Sequence, residues 1–277
     1  MYIDSHVHFW MPARGDYGWL KPDNAVLYRD YLPGQLLPAL RTHGVEGLVV
    51  VQAAPTAAEA SFLLELTQDG TVAAAVSGGL DPFAERFDAE LETLRAHARF
   101  AGVRINGGAF RLDRPADERI KLQAALERMA QTGLTLDLLV RPDDLDGVAS
   151  YLEGMPMLKA VVNHLGSPAV RERRMEPWSA GMERLSRLPG VAVKLSGMIT
   201  MAGGPDPAPL RPYVDRLLHA FGPDRLLFGS DWPVALQAGG YGDVVGLFES
   251  LLPAGLTREE KGSIRAGNAR RWYRIEP

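Results

Sequence analysis

No cysteine occurs among the 277 residues. That excludes disulfides, thiolate nucleophiles and sulfur-rich metal sites. No apolar run reaches the ~18 residues a membrane span needs. The N-terminus carries no basic segment leading into an apolar one and enters a histidine-bearing strand at once. Blocks of about five like charges are also missing, and clusters such as RERRMEP (171–177) are short and mixed. Neither a nucleic-acid surface nor a polybasic membrane patch is expected, and the formal net charge is only −4. The chain reads as a soluble cytoplasmic protein. It shows no low-complexity linker and no second-domain boundary. With 46% hydrophobic residues it has ample material for one large core, and α/β barrels reach this size as a unit, so a single domain over 1–277 is expected.

What the chain has instead is alternation. Eight short β-rich runs stand out: YIDSHVHF from Tyr2, VEGLVVVQA from Val45, TVAAAVSGGL from Thr71, FAGVRING from Phe100, LTLDLLV from Leu134, LKAVVNHLG from Leu158, VAVKLSG from Val191 and RLLFGSDWP from Arg225. Several are nearly all apolar, as in strands buried on both faces. Helix-like segments lie between most of them. AAEASFLLELTQD puts Ala60, Leu63, Leu64 and Thr67 on one face; DERIKLQAALERMAQTG begins with acids and stops at Gly133; APLRPYVDRLLHAFG stops at Gly222. This repetition predicts an α/β fold, a parallel sheet closed into a (β/α)8 TIM-type barrel. An open doubly wound sheet is the alternative. Against it, the first strand leads into a long loop (10–35) rather than a G-x-G-x-x-G turn.

Barrel chemistry gathers at the C-terminal ends of strands, and polar residues collect there: His6 and His8, Gln52, Arg104 and Asn106, Asp137, Asn163 and His164, Lys194 and Ser196, Ser230 and Asp231. Side chains alternate along a strand, so His6 and His8 face the same way, with Asp4 one step deeper on that face. Two inward imidazoles without partners would be costly. So placed, they are good ligands for one zinc or similar divalent ion. Asp231 offers a carboxylate from the closing strand, and His164 a further ligand or an acid–base group. Asp4 offers an outer partner for an imidazole. Asp231, His164 and Lys194 are the candidate catalytic groups; Arg104, Gln52, Ser196, Trp19 and Trp178 are candidate substrate contacts. Plainer roles stand beside these: Asp231 as a helix N-cap, Arg104 in a buried ion pair, Lys194 laid between strands, the tryptophans as packing. His43, His97 and His219 fall late in helix-like segments, where a cation suits the dipole, and are read as structural.

The stretches IDSHVHFW, NHLG and FGSDWP resemble the amidohydrolase superfamily, in its amidohydrolase-2 branch. YGWL (17–20), YRDYLP (28–33), LDLLVRP (136–142), VKLSGMIT (193–200) and the run 210–234 resemble the sugar-lactone hydrolases of that branch, which act on lactones such as L-rhamnonolactone and L-fuconolactone. More distantly the chain resembles lactonases for 2-pyrone-4,6-dicarboxylate. The resemblance implies an amidohydrolase-like (β/α)8 barrel that opens a small lactone to its hydroxy acid. His6, His8, His164 and Asp231 match the family's active-centre residues, and Arg104 matches an arginine that contacts substrate. The chain departs from dinuclear members: Asp137 stands in the strand-five region where they carry a histidine, and nothing bridges two metals. At most one divalent ion, zinc, is implied, and some relatives work without any.

Lactone opening needs an activated water, a stabilised oxyanion and a proton for the leaving alkoxide. Asp231 is the expected base, with Arg104, Lys194 or a protonated histidine meeting the developing charge. The loops bearing Tyr17 and Trp19, and MEPWSAG (175–181) with Trp178, should overhang the rim. An anionic dicarboxylate lactone is the alternative substrate, with Arg104, Lys194, Arg141 and Arg111 as its cations. Amide hydrolysis, decarboxylation and non-catalytic metal or sugar binding are further readings. The expected partner is a small lactone; no nucleic acid or membrane is expected, and a homodimer is compatible with the sequence.

Overall fold

The structure, a computed structural model, describes residues 1–68 and 74–275. Eight parallel strands pair in sequence order: β1 (Tyr2–Val7), β2 (Val45–Val51), β3 (Ala74–Gly79), β4 (Phe100–Asn106), β5 (Thr135–Leu139), β6 (Ala160–Val162), β7 (Val191–Leu195) and β8 (Leu226–Phe228). The helices are α1 (Pro33–His43), α2 (Ala57–Thr67), α3 (Phe87–Arg95), α4 (Ala116–Thr132), α5 (Leu145–Glu153), α6 (Trp178–Ser186), α7 (Met198–Ala202), α8 (Arg211–Phe221), α9 (Tyr241–Leu251), α10 (Arg258–Gly262) and α11 (Asn268–Tyr273). No described helix is long and apolar enough to cross a membrane. The expected (β/α)8 barrel is the fold found. Residues 71–73 of the third predicted strand, and Asp69 of the helix before it, lie outside the described residues.

The helices start and stop where local chemistry dictates. The Thr56 hydroxyl accepts the Glu59 N–H at 3.1 Å to cap α2, whose Ala60, Leu63, Leu64 and Thr67 are all buried. Gly133 ends α4 in the left-handed region at φ 68°. Strands β6 and β8 are shorter than the apolar runs suggest, with three residues each. Their continuations turn sharply: His164, Leu165, Gly166 and Ser167 all have positive φ, and so does Asp231 at 62°. A strand cannot carry that geometry.

The barrel closes between β8 and β1. The Asp231 N–H donates to the His6 carbonyl, and the His8 N–H donates to the Trp232 carbonyl, both at 2.8 Å. Below this seam the register of β1 against β2 slips: Asp4 pairs with Leu48 but Val7 with Val50, so β1 carries one additional residue. The bulge resets the alternation. Ile3 joins the interior cluster, whereas Asp4 turns to the outer layer and accepts the Tyr241 hydroxyl of α9 at 2.8 Å. The expectation that Asp4 shares a face with His6 and orients an imidazole is thereby corrected. Asp4 instead holds backbone, accepting the N–H of Ser230 at 2.8 Å and of His6 at 3.1 Å.

The end of the barrel away from the strand C-termini is filled by α11. Ala269, Trp272 and Tyr273 pack on Ile3, Val49, Val51, Ala75, Ala101, Val161, Ala192 and Leu227. The remaining strand, β5, joins through the Thr135 hydroxyl, which donates to the Trp272 carbonyl at 2.6 Å. The plug is therefore integral to the core. Trp272→Ala is expected to cost ~3–5 kcal/mol through the cavity it opens, read as a lower urea midpoint at unchanged slope.

Candidate active site

Four strand ends converge on the rim. From β1 come His6, fully buried, and His8, whose Nε2 atoms are 3.2 Å apart. Asp231, after β8, brings Oδ1 to 3.3 Å from His8 Nε2 and 3.8 Å from His6 Nε2. Its side chain serves the imidazoles and caps no helix. His164, after β6, lies with its ring centroid 4.4 Å from that of His6, and its Nδ1 is 3.0 Å from the Ser196 hydroxyl on the β7 side. Gly197, at φ 65°, makes room for this meeting: a Cβ there would sit 2.8 Å from His164 Nδ1 and 3.5 Å from Asp231 Oδ2.

Beneath His6 runs a buried polar column. Asp137 on β5 receives the Lys194 ammonium at 2.6 Å and the Tyr273 hydroxyl at 2.8 Å on one oxygen, and the Ser77 hydroxyl at 2.6 Å on the other. Lys194 Nζ also lies 3.5 Å from His6 Nδ1. Lys194 is fully buried as an ion-pair partner under the site and does not reach the cavity.

Above the imidazoles opens a cavity of about 640 Å³. Its walls include His8, His164, Asp231, Arg104, Gln52 and Trp19, together with Asp16, Asn106 and Leu139. Trp19 is held by its indole N–H on the Ala53 carbonyl at 2.8 Å. Arg104 donates through Nη1 to the Gln52 carbonyl at 2.7 Å, while its buried Nε–H has no partner among the described residues. Trp178 does not line this cavity. It starts α6 in the core, with its indole N–H on the Leu165 carbonyl at 2.7 Å; Tyr17 is also buried rather than overhanging. Asp16 carried no signal in the sequence beyond its place in the long first loop. Its carboxylate is fixed by Arg14 at 2.8 Å and the Thr56 hydroxyl at 3.3 Å, two loops that only the fold brings together.

Electrostatics divides the groups. Burial alone would raise the Asp231 carboxyl, but the imidazoles of His164 and His8 and the Arg104 guanidinium hold it below the usual carboxylate range. Burial lowers His164 to about 4, and Arg104, His8 and Lys194 push the same way against Asp231. Burial also drives His6 well below its ordinary value. At neutral pH the site holds a carboxylate beside the neutral imidazoles of His6 and His164. Among the described residues, His6, His8 and Asp231 form the group whose ligand atoms lie within 4.8 Å of one another; His164 stands beside that group rather than in it. The donor set suits a metal: His8 Nδ1 lies 2.8 Å from the Val51 carbonyl, which leaves the Nε2 lone pair directed at the shared centre.

Residues 3–275 match the Amidohydrolase family, and the chain belongs to it. It is 34% identical to an L-fucono-1,5-lactonase of Burkholderia ambifaria, over 99% of this chain and 96% of that one. A crystal structure of an amidohydrolase from Burkholderia multivorans with bound zinc superposes with a TM-score of 0.86 at 32% identity, covering 100% of both chains. A Pseudomonas putida structure named for 2-pyrone-4,6-dicarboxylic acid hydrolysis gives a TM-score of 0.77 at 27% identity, covering 100% of this chain and 98% of that one.

One buried acid outside this cluster supports the cavity wall. Glu59 of α2 is fully buried and accepts the Ala53 N–H at 2.8 Å, next to the carbonyl that holds Trp19. Burial raises its carboxyl from 4.5 to about 8, helped by Asp16 and opposed by the Ala53 and Ala54 amides and Arg14. The folded state therefore favours the protonated acid. The stability this confers is complete below the unfolded value and is lost as pH rises toward about 8. Glu59→Gln should gain on the wild type between pH 4.5 and about 8, by up to ~1.4 kcal/mol per pH unit. Urea unfolding of both proteins across that range checks it.

Proposed function

We propose that this chain is a sugar-lactone hydrolase, a carboxylic ester hydrolase that opens a small aldonolactone to its hydroxy acid. The observation that carries the reading is the ionised Asp231 among His6, His8 and His164 at the floor of a cavity whose walls suit a neutral polyol. The likeness to L-fucono-1,5-lactonase over nearly the full length supports it.

Asp231 takes the proton of the attacking water and returns it to the ring oxygen as the ester breaks. The Arg104 guanidinium, in the cavity wall and held through Nη1 on the Gln52 carbonyl, gives the carbonyl oxygen or a ring hydroxyl a donor group already in place. His164, kept neutral and fixed by Ser196, orients water or carbonyl from the other side. Trp19 offers an apolar face for the sugar ring, and Asp16, Gln52 and Asn106 offer groups for its hydroxyls. His6, His8 and Asp231 would hold one zinc ion, which would supply a Lewis acid for the ester carbonyl and a lower pKa for its water.

The same walls weigh against a dicarboxylate lactone. Arg104 is the one arginine or lysine among the residues lining the cavity, and Asp16 and Asp231 oppose an anion there. Lys194 is committed to Asp137 below, Arg111 pairs with Asp113 on the surface, and Arg141 is exposed away from the cavity.

Asp231→Asn preserves shape but removes the basic oxygen, so kcat should fall by at least ~10²-fold, with little change in thermal midpoint. Arg104→Met should chiefly raise KM if the guanidinium binds ground-state substrate, and lower kcat if it meets the oxyanion. Both are read by acid release on a panel of lactones. Neutral aldonolactones should exceed anionic dicarboxylate lactones in kcat/KM by at least ~10-fold, the worth of roughly one unfavourable charge contact. The opposite order, or turnover of no lactone at all, overturns the reading.

A further inference from the structure

Trp19 belongs to two hollows at once. One is the active-site cavity of about 640 Å³; the other, a groove of about 590 Å³ built on the first loop, has Trp19 in its wall as well. The two come together again at the short helical turn Val234–Gln237, where Val234 lines the cavity and Gln237 the groove. The Asn24 side-chain amide donates to Gln237 Oε1 at 3.0 Å and ties the loop to that turn. Trp19 is 44% exposed, yet it is held. Its indole N–H donates to the Ala53 carbonyl, and its ring meets Trp10 edge to face with centroids 5.3 Å apart. Trp10 is fully buried and fixed in turn on the Leu27 and Arg29 carbonyls, at 3.1 and 3.0 Å. An exposed aromatic ring that the fold keeps still is preorganised for a flat ligand, because little rotamer freedom is lost when the ligand arrives.

The groove has the chemistry of one such ligand. Leu20, Val26 and Leu27 give it apolar surface beside the indole. Lys21, Asp23, Asn24 and Gln237 give it donors and acceptors. Lys21 and Asp23 are of opposite sign, so the groove selects neither an anion nor a cation. A pyranose ring presents the matching surface: apolar C–H faces that stack on an aromatic ring, rimmed by hydroxyls that both donate and accept. The cavity has room to spare on the same side. Hollows of ~300–1,000 Å³ take ligands of drug size, and a monosaccharide lactone with its carbonyl at Asp231 is smaller than that.

We infer that the groove is a second sugar subsite, which takes a pyranose joined to the lactone being opened, so that the substrates include glycosylated aldonolactones such as the lactones of oxidised disaccharides. The inference rests on the sugar-lactone reading and adds a binding surface outside the active-site cavity. The link between the rings passes over the exposed part of Trp19. Only the ring ester takes up water, giving one carboxylic acid and one hydroxyl, and the glycosidic bond stays intact.

The test measures acid release by the full-length enzyme. Lactones of disaccharides that share one reducing-end sugar and differ in linkage position are compared with the lactone of that sugar alone. The reducing-end sugar is the one whose own lactone is opened best. At least one linkage should exceed the parent lactone in kcat/KM by ~3–10-fold through a lower KM, the worth of about one hydrogen bond or stacking contact. Asp23→Ala and Gln237→Ala, both outside the cavity, should erase that advantage and leave kcat/KM for the parent lactone unchanged. Turnover of the parent lactone with every disaccharide lactone poorer overturns the subsite and leaves the sugar-lactone reading standing. Equal losses on both lactones in the two variants also overturn it, since the groove residues then only support the loop. Turnover of no lactone at all overturns both.

Discussion

The centre of this molecule depends on how its barrel closes. The two hydrogen bonds that join β8 to β1 run from Asp231 to His6 and from His8 to Trp232. Three of those four residues, Asp231, His6 and His8, also bring their side chains together at the site. Closure and convergence are therefore one event: until the seam forms, Asp231 is more than 220 residues from its imidazoles along the chain, and afterwards it is 3.3 Å from one of them. Asp4 reinforces the seam by accepting the amides of Ser230 and His6 on one oxygen, and α9 holds its other oxygen through Tyr241. Gly229 lets the strands approach so closely, since a Cβ there would lie 2.8 Å from that of His6.

Such precision is held against local strain. Asp231 and His164 both occupy the left-handed region, and His164 begins a run of four positive-φ residues. A non-glycine residue held in a sparsely populated conformation costs ~1–3 kcal/mol. Packing offsets this: Leu165 and Trp178 are buried under the turn, and the Trp178 indole N–H satisfies the Leu165 carbonyl. Trp178 thus contributes to the site by holding the backbone that aims His164. The aspartate and the histidine point into the cavity because their chain is not allowed to continue as strand.

The interior below the site is polar where a barrel is usually apolar. Asp137, Lys194, Ser77 and Tyr273 are all buried, and each finds a partner. Removing one member would leave a buried charge uncompensated, which is far more costly than the pair is worth as glue. The arrangement separates two cations by role. Arg104 lines the cavity, while Lys194 is sealed off beneath the site in its pair with Asp137. A substrate meets one fixed positive charge and two carboxylates, a field that tolerates hydroxyls and penalises anions.

Much of this was legible along the chain. Eight apolar runs alternating with capped amphipathic segments declare a barrel, because strand and helix periods are local properties. His6 and His8 share a face because side chains alternate, and polar residues at strand ends mark the catalytic rim. What the sequence could not determine depends on contacts between distant segments. The bulge in β1 turns Asp4 outward, although alternation alone places it inward, because register is settled by pairing with β2. Lys194 is drawn beneath the site by Asp137, and Asp16 reaches the cavity wall only because Arg14 and Thr56 hold it there. Trp178, which reads as a rim aromatic, is buried because α6 packs its first turn under the His164 loop. Which strands exist, and which groups each can present, follow from local pattern along the chain. Which of those groups face one another is settled by the closed barrel, since a hydrogen bond or ion pair between strands finds its partners only there.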